Sequence, residues 1–415
     1  MNTRLPQPPL DKIGVIALVP DQWGPRWMDR HYVMDRLANY FQVVWMYQPD
    51  RRECLAALRS GYRAPTDSSA RRATLQVYPP EYWLPRFGRP AWLANFTLRQ
   101  RLKHAREMLR ARGCTKLVLY LWRPEFADAL KQLPHDFSVY HVNDEYSFSS
   151  TEVAVSAAER QLLESVNQVI LTSPGLMEKR GKFNRNTEFV PMGVDYRLYS
   201  TPSPEPEDLR RIPHPRIGYV GYLKSQLDWP LLLELSGIHP EWSFVFVGPK
   251  RPHPQINGVL DQMSRRPNVH FLGGKPTEQL GGYAQHFDVC IMPYLLDDYT
   301  KYVYPLKLHE YLATGQPVVS SRMYSVEEFS PVVAIADSQE QWSNSIKHGL
   351  SEQENSTERR AQRQTVARNY DWDTLVHKIA CPIAHHFDMP VPKVAALCDP
   401  ESSSTRSAPL IETIP

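Results

Sequence analysis

Short apolar runs rich in β-branched residues alternate with amphipathic stretches along nearly the whole chain. In the first half, runs at 14–19, 43–47, 74–78, 116–121, 138–142, 168–172 and 188–191 each have a strand's length. They are too continuous in hydrophobicity for a sheet with one wet face. They therefore predict parallel strands covered by helices on both sides. A second series follows at 216–220, 243–247, 269–272, 289–292, 318–320 and 332–335. Six strands in about 120 residues is the cadence of a Rossmann-like domain. Between the two series, prolines at 202, 204, 206, 213 and 215 predict an inter-domain linker. The expected organisation is an N-terminal domain over 1–200, a linker over 201–215 and a second domain over 216–371. A helix at 372–388 follows, and then a Pro-, Ser- and Thr-rich tail at 389–415 that is expected to be disordered.

Composition narrows the class without choosing a chemistry. With 415 residues the chain is too long for one ordinary core, so two domains are the default. A hydrophobic fraction of 42% and a charged fraction of 22% describe a soluble globular protein. The net charge of +3 is too small to imply nucleic acid. Cys54, Cys114, Cys290, Cys381 and Cys398 form no metal-ligand spacing and are odd in number, which predicts a reduced, cytoplasmic compartment and no structural zinc. The apolar run at 13–19 follows Asp11-Lys12 and is too short for a signal peptide or a membrane span.

The most informative segment runs from Tyr304 to Ser320. Pro305 suits the first turn of a helix, where a missing N–H costs nothing. Leu308, Tyr311 and Leu312 recur at helical spacing, Gly315 predicts a C-cap, and Pro317-Val318-Val319 opens a short buried strand. The start of such a helix, at Pro305, Leu306 and Lys307, directs free N–H groups and a positive dipole end at its ligand, which favours phosphate. A lysine at that end is disfavoured by the dipole, so Lys307 suggests an anion, although a solvated lysine would look the same; Lys301 brackets the helix start from the other side. Glu310 lies between one and two turns in, within reach of the sugar of a nucleotide whose phosphates sit at the tip. An ordinary helix–strand joint with a surface Glu has the same residues.

Arg216-Ile217-Gly218-Tyr219-Val220-Gly221-Tyr222-Leu223-Lys224 reads as a strand entering a glycine turn. Gly221 would let the backbone approach a phosphate, and Lys224 could neutralise it. Gly218-x-x-Gly221 is not the GxGxxG fingerprint, which disfavours a nicotinamide cofactor.

Together these segments resemble the donor site of retaining GT-B glycosyltransferases, in particular the large group 1 (family 4-like) set that builds bacterial surface polysaccharides. The resemblance implies an α/β GT-B fold: two Rossmann-like domains facing across a cleft, with the aromatic-Asp helix from Trp372 packing back onto the first domain. It implies that Glu310, the last Glu of a Glu-x7-Glu pair, binds ribose hydroxyls. The other member falls at Tyr302, so the pair is broken at the position associated with the transferred sugar. In the Gly221 loop only Lys224 matches the family's diphosphate-binding cations. Asn268 to Leu280 is similar to the loop beside the nucleobase, where backbone near Gly273 and Lys275 would read the base edge. Neither nucleotide nor sugar follows from that.

On the acceptor side, Val19-Pro20-Asp21-Gln22-Trp23-Gly24-Pro25-Arg26-Trp27 follows the first strand. Trp23 and Trp27 could stack on sugar rings, Arg26 could hold an acidic or phosphorylated acceptor, and Gly24 stands where the family has a glycine pair. In Ser138 to Ser147 the family's His-Asp becomes Asn143-Asp144, with His141 two residues deeper on the same strand face. Asp144 or Glu145 could orient or deprotonate an acceptor hydroxyl; a strand-end Asp capping its own turn is the plain alternative. The resemblance implies retention of configuration without a bound metal or a further cofactor. Its main electrostatic task is stabilising the departing diphosphate, by the helix N-terminus, the Gly221 amide and Lys224.

From Arg86 to Lys116 nine basic residues face a lone Glu107, with Trp92, Leu93, Phe96, Leu102, Ala105, Met108 and Leu109 on an apolar side. Such a segment fits an anionic membrane surface and equally a domain helix with a solvated basic face. No stacking platform accompanies it, so nucleic acid is not expected. The expectation is a cytoplasmic enzyme, peripheral on the inner face of the plasma membrane, moving a sugar from a nucleotide-sugar donor to a glycan or lipid-linked acceptor. A nucleotide-sugar epimerase and a non-catalytic nucleotide-sugar-binding subunit are the alternatives.

Overall fold

The computed structural model describes residues 7–24, 27–60, 73–79, 81, 90–146, 153–251 and 253–392. Arg26, most of the tail and residues 82–89 of the basic segment lie outside them. Two parallel sheets carry the fold. The first comprises β1 (Ile13–Val19), β2 (Gln42–Tyr47), β3 (Leu75–Val77), β4 (Lys116–Leu121), β5 (Phe137–Val142), β6 (Gln168–Leu171) and β7 (Thr187–Phe189), in the order β3-β2-β1-β4-β5-β6-β7. The second comprises β8 (Arg216–Val220), β9 (Ser243–Val247), β10 (Val269–Gly273), β11 (Val289–Met292), β12 (Val318–Ser320) and β13 (Ala334–Ile335), in the order β10-β9-β8-β11-β12-β13.

The continuously apolar central strands are buried on both faces, while the edge strands β7, β10 and β13 are partly exposed. Along β1, Val15, Ala17 and Val19 pack with Val33, Met34 and Leu37 of the helix Asp29–Leu37. The alternating Ile16 and Leu18 pack with Leu102, Ala105 and Leu109 of the helix Ala91–Ala111. Each fully buried Val, Ile, Leu or Met among them contributes about 1.5–3 kcal/mol. The chain direction across the sheet reverses between β1 and β4 and again between β8 and β11. In doubly wound sheets a ligand binds beyond the strand ends at such a reversal.

Two chain segments join the domains. Val194 forms a parallel bridge with Asp371, and the Tyr196 amide donates to Asp371 Oδ2 at 3.0 Å. The helix Trp372–His386 then packs on the first domain. Trp372 stacks on Tyr32 with centroids 5.6 Å apart, and Arg36 lies 3.2 Å from Asp373 and 3.3 Å from Asp195. The proline-rich stretch holds a short helix, Glu207–Arg210, and is tied to the second domain through Asp208–Lys275 at 2.6 Å.

Candidate functional site

The second domain's side of the site is built from strand ends β8 and β11 and the helix Lys307–Thr314. The helix starts two residues after Pro305, whose carbonyl accepts from the Leu308 amide at 3.2 Å. It ends at Gly315 in the left-handed region, φ +79°. Gly221 has φ +140°, and a Cβ there would lie 2.4 Å from Lys307 Cε. A side chain at Gly248, φ +151°, would meet the Gly221 carbonyl oxygen at 2.0 Å. These two glycines thus let the ends of β8 and β9 converge beneath the Lys307 side chain.

Lys224 enters the same space. Burial holds its ammonium below the ordinary lysine range; Lys307 and Arg251 push the same way, against Tyr294 and Asp144. Tyr294 at the end of β11 is buried, yet Lys307 and Lys224 lower its phenol below the usual value despite that burial. Two ammoniums crowded into a partly buried space gain from an anion that neutralises both.

One expected donor is unavailable. The Gly221 amide gives its hydrogen to the Val247 carbonyl at 2.7 Å, because the β8–β9 ladder runs one residue past the strand. The groups that could meet an anion here are therefore Lys224, Lys307 and the helix start at Leu306, not the Gly221 N–H.

Glu310 is half-buried on the same helix. Burial raises its carboxyl above the ordinary value, opposed by Lys307 and by Tyr199 from the inter-domain segment. Neighbouring His309 is a core group: it is fully buried, stacked on Tyr370 at 3.9 Å, paired with the Tyr304 hydroxyl at 2.9 Å and pushed down to about 3 by burial. Gly273 is exposed with φ +71°, and its carbonyl accepts from the Gly248 amide at 2.8 Å. The Lys275 side chain is committed to Asp208, beside Tyr283, where it lines a cavity of about 690 Å³ against the linker.

Tyr302 is 2% exposed and packs in a core cluster of the first domain. Its ring lies 4.9 Å from the Lys179 ammonium, and a Cβ on Gly175 would meet it at 3.1 Å. The position of the absent motif Glu is thus occupied by a domain-to-domain contact.

The first domain's side lies at the ends of β1, β4 and β5. Asp144 Oδ1 accepts a 2.8 Å hydrogen bond from the Tyr299 hydroxyl of the second domain. Asn143 Nδ2 donates to Asp29 Oδ2 at 2.6 Å. Burial raises the Asp29 carboxyl above its ordinary value, against the pull of Arg30 and Asn143. Glu145 is not a free base: it is buried and clamped by Arg180 at 2.7 and 2.9 Å. His141 lies under the site, 2.7 Å from the Tyr120 hydroxyl and stacked on Trp122 at 4.1 Å, with burial pushing it down to about 3.

Trp23 does not present a face for a sugar. It is 6% exposed, held edge-on to Trp45 at 5.0 Å and to Trp27 at 5.7 Å, so it supports the loop from below. Gly24 beside it opens to free space. The basic segment divides as well. Leu102, Ala105 and Leu109 are core, and Arg101 is buried beside Glu81 at 3.7 Å. Trp92 and Phe96 remain exposed, near Arg99 and Lys103.

Asp29, Tyr199 and Tyr299 had no signal in the sequence, because none sits in a motif and only the fold brings them to the cleft. Gly248 and Tyr294 do carry a signal: Phe246-Val247-Gly248-Pro249 and the run from Asp288 to Tyr294 read as sheet core ending at the cleft.

Among solved structures, a trehalose-6-phosphate structure from E. coli bound with UDP-2-fluoro glucose aligns over 92% of this chain and 100% of its own, with TM-score 0.63 and 13% identity. WaaG, a glycosyltransferase involved in lipopolysaccharide biosynthesis, aligns over 88% and 98%, with TM-score 0.53 and 13% identity. The chain has the GT-B fold. Within it, residues 214–351 match the family model for glycosyl transferases group 1, which places the match on the second domain. A Bacillus subtilis (strain 168) protein, named as a candidate teichuronic acid biosynthesis glycosyltransferase, TuaH, is 27% identical over 237 residues. That match covers 54% of this chain and 58% of the relative's length.

Proposed function

We propose that the chain is a retaining glycosyltransferase that moves a sugar from a nucleoside-diphosphate sugar to a glycan or lipid-linked acceptor of the cell surface. The observation that carries this reading is the meeting of Lys224 and Lys307 over Gly221, with Glu310 one turn further along the same helix. That arrangement suits a diphosphate at the helix start and a ribose at Glu310. Asp144, on the opposite domain, is within electrostatic reach of Lys224.

In this reading the sugar–phosphate bond breaks between the two domains. Lys224, Lys307 and the helix start stabilise the charge that develops on the leaving diphosphate. Asp144, oriented by Tyr299, holds the acceptor hydroxyl on the side where that charge appears. The leaving phosphate itself takes the acceptor proton, so neither a bound metal nor a further cofactor is required. Tyr302 contributes domain closure where relatives of this pattern place a sugar-binding Glu, and the sugar is recognised by other groups. The group 1 match and the likeness to TuaH support a cell-surface glycan as the product.

No helix of the described residues is long and apolar enough to cross a membrane. Trp92 and Phe96, exposed beside basic residues, suit peripheral contact with the anionic inner leaflet, where a lipid-linked acceptor is reached. Incubation with a panel of nucleotide sugars, with and without membrane extract, tests the reading. Acceptor-dependent release of nucleoside diphosphate supports transfer. A new sugar nucleotide formed without acceptor indicates epimerisation, and binding without turnover a non-catalytic subunit.

A further inference from the structure

Tyr199 lies on the short helix Tyr196–Ser200, in the segment that joins the domains. It is 1% exposed, its hydroxyl makes no hydrogen bond of ordinary geometry, and Glu310 is the side chain close enough to interact with that hydroxyl. A buried hydroxyl without a well-formed hydrogen bond is costly and calls for an explanation. Of the ionisable groups acting on it, Glu310 acts most strongly. The helix that carries it is fixed from both domains. Asp195 caps its N-terminus by accepting from the Leu198 amide at 3.4 Å, and Arg36 of the first domain holds Asp195 at 3.3 Å. Gln285 of the second domain donates to the Tyr199 carbonyl at 2.8 Å.

We propose that Tyr199 is a positioning residue for Glu310: its hydroxyl donates to one carboxylate oxygen when a nucleotide is bound, fixing the rotamer that accepts from the ribose hydroxyls. The role rests on the nucleotide-sugar reading above. A free carboxylate rotates about its last bond and samples orientations that meet only one hydroxyl. A phenol anchored on a rigid helix removes that freedom at small entropic cost. Because Tyr199 is held through Asp195 and Arg36, the ribose contact is also tied to the relative setting of the two domains.

The test is calorimetric, on the full chain. UDP, GDP, ADP and CDP are titrated first, and then the 2′,3′-dideoxy form of whichever binds. The wild type is expected to prefer the ribose form about tenfold or more. Tyr199→Phe should cut that preference at least about threefold with unchanged affinity for the dideoxy form. Glu310→Ala should abolish it, and the double variant should match Glu310→Ala alone. A Tyr199→Phe protein that keeps the full preference, or that loses affinity for both forms equally, would overturn the role while leaving the nucleotide reading in place. A wild type that binds none of the four, or that ignores the ribose hydroxyls, would sink the nucleotide reading and the Tyr199 role with it.

Discussion

The Tyr299 hydroxyl of the second domain donates to Asp144 Oδ1 of the first at 2.8 Å. The bond crosses the cleft between the two domains. It can therefore form only when the domains are closed. A hydrogen bond to a charged acceptor contributes about 1.5–3 kcal/mol. Tyr299→Phe is expected to lower kcat/KM about tenfold or more, and Asp144→Asn by at least as much. In the double variant the two losses should not add, because both remove one interaction. A double-mutant cycle on initial rates measures the coupling; fully additive losses would separate the two residues.

Gly221→Ala tests the phosphate cradle without touching a charge. Its φ of +140° and the 2.4 Å approach of Lys307 Cε force the new methyl group to displace the ammonium. Nucleoside-diphosphate affinity should fall about tenfold or more, since a charge-assisted contact is lost. Lys307→Ala should reproduce the loss, and calorimetry with the diphosphate reads both. An unchanged affinity in either variant contradicts the cradle.

Burial makes Glu310 a destabilising group at neutral pH. Its carboxyl is raised above the ordinary value in the folded state, chiefly by burial. The folded protein therefore holds that proton at pH values where the unfolded chain has released it, and the group destabilises the fold above its folded pKa. The penalty disappears as pH falls below the ordinary carboxyl value. Glu310→Gln should raise Tm by about a few degrees at pH 7, and the gain should vanish in acid. The same substitution should weaken nucleotide binding. Thermal melts from pH 3 to 8 check the sign; a variant less stable at pH 7 contradicts it.

Tyr302 holds the domains together. It is buried in the first domain's core cluster although it belongs to the second domain. Removing its ring should cost about 3–5 kcal/mol, as large aromatic truncations do. Tyr302→Ala should lower Tm and increase protease cleavage near residues 195–215, while Tyr302→Phe should retain wild-type stability. Equal resistance in the alanine variant would remove its role in closure.

Trp92 and Phe96 are 70% and 50% exposed. Trp92→Ala combined with Phe96→Ala should reduce sedimentation with anionic vesicles by about tenfold or more, since the two rings supply the apolar contact. Lys103→Glu should reduce it further at low salt only. Arg101 is excluded from this test because it is buried beside Glu81.

The sheet strands were legible because their hydrophobic runs are continuous, and β4, β8, β9, β11 and β12 fall where those runs do. Gly315 was legible as a C-cap because only a left-handed residue closes that helix without strain. The cleft was less so. The Gly221 amide looked free because a strand's pairing partner one residue beyond its end is not encoded nearby. Trp23 looked like a sugar platform because burial of a loop aromatic depends on Trp45, from a different strand. Tyr302 looked like a lost sugar ligand; its packing against Gly175 and Lys179 depends on how the two domains meet. Tyr299 needed both domains in place before it met Asp144, and Tyr199 before it came beside Glu310.

The central claim is tested most directly by diphosphate release from a panel of nucleotide sugars, measured with and without membrane extract. Wild-type protein should release nucleoside diphosphate from one donor only when acceptor is present. Glu310→Ala and Lys307→Ala should each slow that release about tenfold or more. Release at wild-type rate by both variants, or none from any donor with acceptor present, would contradict a nucleotide-sugar site at Gly221, Lys307 and Glu310.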